Sequence, residues 1–150
     1  MRSLGFEFEE TMTGTYTRAG HPDQQGEIRL RARARAGSVL KHVRDGMVTL
    51  EGTLDMEGFA DDVPVAGTIE IRPVGKKIIR YDFSFLGNDG NPYRFVGQKD
   101  IRYSDLVRTM TTCHGAIATA GGEEVARVTL RFDVKADFLP FLVSWKPAMV

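Results

Sequence analysis

The sequence predicts an all-β fold: a closed or nearly closed antiparallel β-barrel of about eight to ten strands with one or two short helices. Three observations predict it. Apolar and polar residues alternate with period two along most of the 150-residue chain, as in strands with one buried face. Turn-forming Asn, Asp and Gly clusters interrupt that alternation at short intervals. Glycines recur at inward parity (Gly14, Gly52, Gly67, Gly97), where barrel walls bend or backbones approach closely. A β-sandwich is the alternative way to cover one apolar face per strand. The length fits a single domain, 1–150, with its own core.

The strands follow in order. "GFEFEETMTGTYTR" sets Phe6, Phe8, Met12, Gly14 and Tyr16 against Glu7, Glu9, Thr11, Thr13 and Thr15. "EIRLRARARAG" sets Leu30, Ala32, Ala34 and Ala36 against Arg29, Arg31, Arg33 and Arg35. "MVTLEGTLDMEG" turns Val48, Leu50, Leu54 and Met56 inward, and "VPVAGTIEIRP" does so with Val65, Ile69 and Ile71. "KKIIRYDFSFL" aligns Ile79, Tyr81, Phe83 and Phe85. The turn "GNDGNP" leads into "YRFVGQKDIRY", with Tyr93, Phe95, Gly97 and Ile101 on one face. "VRTMTTCHGAIATA" and "EEVARVTLRFDVKA" form a last pair joined at Gly121-Gly122. "SVLKHVRDG" predicts a short helix with Ser38 as N-cap and Gly46 near its end. "DFLPFLVSW" predicts a terminal turn or short helix on the sheet.

Charge narrows the function classes. Lys plus Arg and Asp plus Glu each total 20, a formal net charge of zero, which argues against a general nucleic-acid binder. The outward arginines read as a charge ladder, with Glu7, Glu9, Glu51, Asp55 and Glu57 as candidate partners. No aromatics interleave with them for base stacking. Cys113 is the lone cysteine, so no intramolecular disulfide is expected. The start "MRSLGFEFEE" lacks a signal-peptide apolar run, and no segment approaches the roughly 20 apolar residues of a membrane span. A cytoplasmic location without membrane insertion is the expectation. The three histidines show neither HxH nor HExxH spacing, so no metal site or cofactor is expected.

Two charges break the inward pattern. Glu10 shares parity with Phe8 and Met12, and Lys99 with Tyr93, Phe95 and Gly97. A charge facing an apolar interior is costly unless paired or hydrogen-bonded. Three explanations stand: a bulge at Glu9-Glu10 that turns Glu10 to water, an interior Glu10–Lys99 bridge, or a wet cavity where both orient a ligand's polar group. His114 lies in a stretch of mixed character on both parities and joins the candidates. Asp61-Asp62 reads as a solvated loop.

The stretches "FEETMTG", "NDGNPYRFVGQKDI" and "DLVRTMTTCHGAI" together resemble an accessory module. It accompanies cholesterol-oxidase-like glucose–methanol–choline oxidoreductases and some α/β-hydrolase proteins. That module runs from a Phe-Glu-x-Met-Gly-like start, through a Gly-x-Lys segment after an aromatic hairpin, to a Thr-Thr strand. The resemblance implies a lipocalin-like (calycin) barrel associated with lipid or sterol metabolism. It places Glu10, Lys99, Thr111 and Thr112 on motif positions, and it implies no catalytic residue.

The leading expectation is a non-catalytic barrel that binds a small, largely apolar molecule with a polar end. Tyr81, Phe83, Tyr93 and Phe95 form its apolar wall; Glu10 and Lys99, with His114 nearby, hold the polar end. It carries an expected cavity of a few hundred Å³. One alternative is a small barrel enzyme using Glu10 or His114 as general acid or base. Another is a structural or interaction module with a filled core, whose outer charge ladder or C-terminal "FLPFLVSW" meets a partner, a second copy of the chain in a homodimer included.

Overall fold

A computed structural model describes residues 6–36, 47–72, 78–100, 102 and 111–132. The predicted helix at 38–46 and the predicted turn or short helix at 137–145 lie outside the described residues, and so does the side chain of Glu10. Eight strands close into one antiparallel barrel in simple sequential order. They are β1 (Phe6–Arg18), β2 (His21–Ala36), β3 (Met47–Met56), β4 (Ala60–Arg72), β5 (Ile78–Leu86), β6 (Pro92–Asp100), β7 (Thr112–Thr119) and β8 (Glu124–Phe132). Closure comes from β1 pairing with β8, Met12 opposite Phe132 through Arg18 opposite Ala126. Each described strand then has a hydrogen-bonded neighbour on both sides. The barrel, not the sandwich, is the fold.

The inward parity is the one the alternation predicts. Met12, Leu30, Leu50, Leu54, Ile69, Phe95, Cys113, Ile117 and Leu130 have no accessible surface at all. Alternation puts their neighbours outside because successive side chains leave opposite faces of a strand. Gly52 and Gly67 mark places where the wall draws tight. A Cβ on Gly52 would sit 1.9 Å from the Arg31 carbonyl oxygen, and one on Gly67 the same distance from that of Asp82. No side chain fits there.

β2 begins earlier than the alternation indicates, at His21 rather than Glu27. Its first stretch, "HPDQQG", is rich in strand breakers. The β1–β2 register jumps from Thr17–Gln25 to Arg18–His21. Pro22, Asp23 and Gln24 therefore fall outside the ladder, where a missing proline N–H costs nothing.

The two ends differ in what joins the strands. At one end β1–β2, β3–β4, β5–β6 and β7–β8 are linked by described turns. Gly90, with φ 80°, and Gly122, with φ 90°, supply the left-handed residues there, as "GNDGNP" and Gly121-Gly122 predict. The β5–β6 turn is bonded to the β3–β4 turn: Asn88 N donates to the Phe59 carbonyl at 2.8 Å, and Asp61 N donates to Asn88 Oδ1 at 3.0 Å. Asp61 and Asp62 are therefore not a free loop. Asp62 adopts φ 50° and donates its N–H to Asp55 Oδ1 at 2.8 Å. Asp is among the few residues that enter this conformation at modest cost.

Candidate ligand site

The hairpin of β5 and β6 builds the aromatic wall. Register places Tyr81 opposite Gly97, Phe83 opposite Phe95, and Phe85 opposite Tyr93. All five rings turn inward because they share odd parity. Phe83 and Phe95 stack with centroids 4.8 Å apart, and Phe85 and Tyr93 stack at 5.7 Å. The Phe95 ring lies over a bare patch of wall. A Cβ on Gly97 would come within 2.5 Å of its Cζ atom, and one on Gly115 within 2.7 Å. Gly97 and Gly115 are cross-strand partners on β6 and β7, so their missing side chains leave the hollow that the ring fills.

Toward the end of β6, Lys99 points inward and is only 3% exposed. It is the one charged residue buried among the described residues. Its Nζ donates to the Tyr81 hydroxyl at 2.8 Å and lies 5.0 Å from the centroid of that ring. The phenol oxygen and the π face together supply electron density to an ammonium removed from water.

The other end is sealed by rings. Phe59, from the β3–β4 turn, meets Tyr16 edge-on at 5.5 Å and Tyr93 at 6.2 Å. The Arg18 guanidinium carbon sits 4.8 Å from the centroid of Phe59. Tyr16 donates its hydroxyl to the Glu57 carbonyl. Burial raises the Tyr16 phenol above its ordinary pKa, with Glu57 adding to the rise and Arg18 opposing it. Tyr93 donates to Asp89 Oδ2 at 2.7 Å, which raises the phenol and lowers the carboxyl.

The predicted site residues are thus divided. Tyr81, Phe83, Phe95 and Lys99 form one run along the inner wall. Tyr93 belongs to the sealed end. His114 is corrected: Cys113 and Ile117 take the inward positions of β7, so His114 faces out, exposed, with its Nδ1 3.4 Å from Thr129 Oγ1. It lines no interior space. The β1–β2 register is regular from Phe6 to Thr17, which removes the bulge at Glu9-Glu10; the Glu10 backbone keeps the inward parity of Met12. Phe59 is invisible to the alternation because it stands alone in a turn. An aromatic between Gly58 and Ala60 was the available signal.

The expected hollow is corrected for the middle of the barrel. A side chain without accessible surface borders no space that water can enter, and such residues come from β1 to β4 and β6 to β8. Among the described residues, a groove of about 520 Å³ opens instead on the outer wall, beside Thr11, Arg31, Arg33, Glu51, Thr53 and Pro64. No group of three or more His, Cys, Asp or Glu among the described residues is placed to hold a metal.

No family model matches the chain, and neither does any curated protein or solved structure.

Proposed function

We propose that the barrel binds a small, largely apolar molecule, lipid- or sterol-like in class, and catalyses no reaction on it. The carrying observation is Lys99, an ammonium 3% exposed and bonded to Tyr81 beside the Phe83–Phe95 stack. Burying a cation costs several kcal/mol of dehydration, which its interior partners must offset. A carrier gains a fixed donor for the polar end of its cargo. The ligand's polar end meets the ammonium at the Lys99 end of the barrel, beyond the packed Phe83–Phe95 stack. A carboxylate or hydroxyl end suits the ammonium, and a compact apolar body suits an interior whose middle is packed.

Native mass spectrometry of the purified protein, followed by titration with a fluorescent polyene fatty acid, tests this. The expected result is a bound small molecule or a saturable probe site, weakened about tenfold or more in Lys99→Met, the loss typical of one charge-assisted bond. A protein that carries nothing and binds neither fatty acid nor sterol overturns it.

A second reading is favoured by the absence of accessible surface on side chains such as Leu30, Leu50, Phe95 and Leu130: a scaffold with a filled core. It predicts that Lys99→Met leaves stability unchanged or raises it, as replacing buried charge by apolar volume often does, with no ligand bound to either form.

A further inference from the structure

We propose that the outer wall over β1 carries an oxyanion site, separate from the interior, in which Arg31, Arg29 and Arg131 hold a phosphate group above Thr11 and Thr13. The pairing register brings the five residues together. Arg31 stands opposite Thr11 on β1 and Thr53 on β3. Arg131 stands opposite Thr13 on β1 and Thr112 on β7. Arg29 is the other cross-strand neighbour of Thr13. The strand between these arginines therefore presents hydroxyls, and Arg29 and Arg131 start about 10 Å apart, two strand spacings, with the threonine between them.

The surrounding charges single out this seam. Arg33 has glutamates in register on both sides, Glu9 and Glu51, as a ladder requires. Arg31 and Arg131 have only threonines in register, so the ladder is interrupted there. Asp55 lies opposite Arg29, but its Oδ1 accepts the Asp62 N–H. Among the described residues Arg29, Arg31 and Arg131 make no ion pair, whereas Arg127 and Arg94 do. In a chain of zero net formal charge, three cations left together on one face of a closed wall call for an anion. The groove of about 520 Å³ adjoins this seam at Thr11 and Arg31 and extends from there over β3 and β4. Tetrahedral oxyanions suit the set because guanidinium forks bind phosphate oxygens in pairs and threonine hydroxyls donate to a third. Glu51, on the groove's far side, disfavours bulkier polyanions there.

The test is titration of the full chain with inorganic phosphate, against chloride at equal ionic strength, read by amide NMR shifts. A phosphomonoester, phosphoserine, forms a second arm, and a double-stranded oligonucleotide a third. Expected are saturable shifts at Thr11, Thr13 and Arg131, weakened about tenfold in Arg31→Gln and in Arg131→Gln, with Arg127→Gln unchanged. Tighter binding of phosphoserine than phosphate identifies an esterified ligand; the reverse identifies the free ion. Equal loss in Arg127→Gln, shifts equal to those in chloride, or binding of the oligonucleotide alone would overturn the proposal. All three arginines are exposed, so the variants keep the fold, and their melting temperatures verify it.

Discussion

The two ends of the barrel solve opposite problems. At the turn-linked end, Tyr16, Phe59, Tyr93 and Phe85 close the interior with ring against ring. Every phenol there has its acceptor, the Glu57 carbonyl or the Asp89 carboxylate. At the opposite end the interior keeps a cation, Lys99, whose neighbours include a phenol oxygen and a ring face. One end spends its polar groups on fastening turns to each other; the other spends one on the interior. The comparison teaches where to look for stability and where for recognition. Rings and turn bonds make the first end a plug that needs nothing further, while a buried ammonium depends on the electron-rich groups around it.

The Phe83–Phe95 stack lies between the two ends, and removing it does the most damage. Phe95→Ala is expected to cost about 3–5 kcal/mol, the range for a buried phenylalanine. The upper half applies because the neighbours under the ring, Gly97 and Gly115, have no side chains that could relax into the void. Urea denaturation at an unchanged m-value measures it. A loss below about 1.5 kcal/mol, the scale of a tolerated volume-conserving change, would mean that the stack does not join the two halves.

Phe59→Leu sharpens the contrast between the ends. It keeps apolar volume in the plug but removes two edge-on ring contacts and the Arg18 cation–π contact. The expected cost is about 1–2 kcal/mol. Faster amide exchange should be confined to Asn88, Asp61 and the turns they bind, with Lys99 and its strand unaffected. Spread of the exchange along β6 to Lys99 would show that the plug and the polar end are one cooperative unit.

Much of this was legible in the sequence, for one reason. Period-two alternation reports which residues face in, and closure follows once each strand has a single apolar face and no edge can be left open. That is why alternation alone puts Tyr81, Phe83, Phe95 and Lys99 on the inner face. Register is not encoded so plainly. Nothing in "EIRLRARARAG" says that Arg33 faces two glutamates and Arg31 two threonines; that depends on turn lengths summed around the barrel. His114 failed for a related reason: "TMTTCHGAIATA" carries small residues on both parities, so the side facing in is decided by pairing with β6 and β8. Phe59 was hidden because turns have no period to read.

The smallest effect belongs to Asp89, at the rim of the plug. Its carboxylate accepts from the Tyr93 hydroxyl at 2.7 Å, from Asn91 N at 3.0 Å and from Asn91 Nδ2 at 3.1 Å. The Tyr93 bond is the main reason its pKa is lowered from 3.8. A lowered folded-state value means that the folded protein favours the ionised form. The stabilisation is therefore full above the ordinary carboxylate value of about 4 and lost as pH falls through the lowered one. Asp89→Asn keeps one neutral acceptor and replaces the other carboxylate oxygen by an NH2 donor, so its melting temperature should lie slightly below wild type at pH about 7 and approach it in strong acid. The same bond raises Tyr93 from 10.0. The phenol's share is present below about pH 10 and lost as Tyr93 ionises above it. In Asp89→Asn the tyrosinate absorbance of this residue should appear at lower pH than in wild type. If melting curves and the alkaline titration both superimpose on wild type, the Asp89–Tyr93 bond does not fasten this turn, and the plug is held by its rings alone.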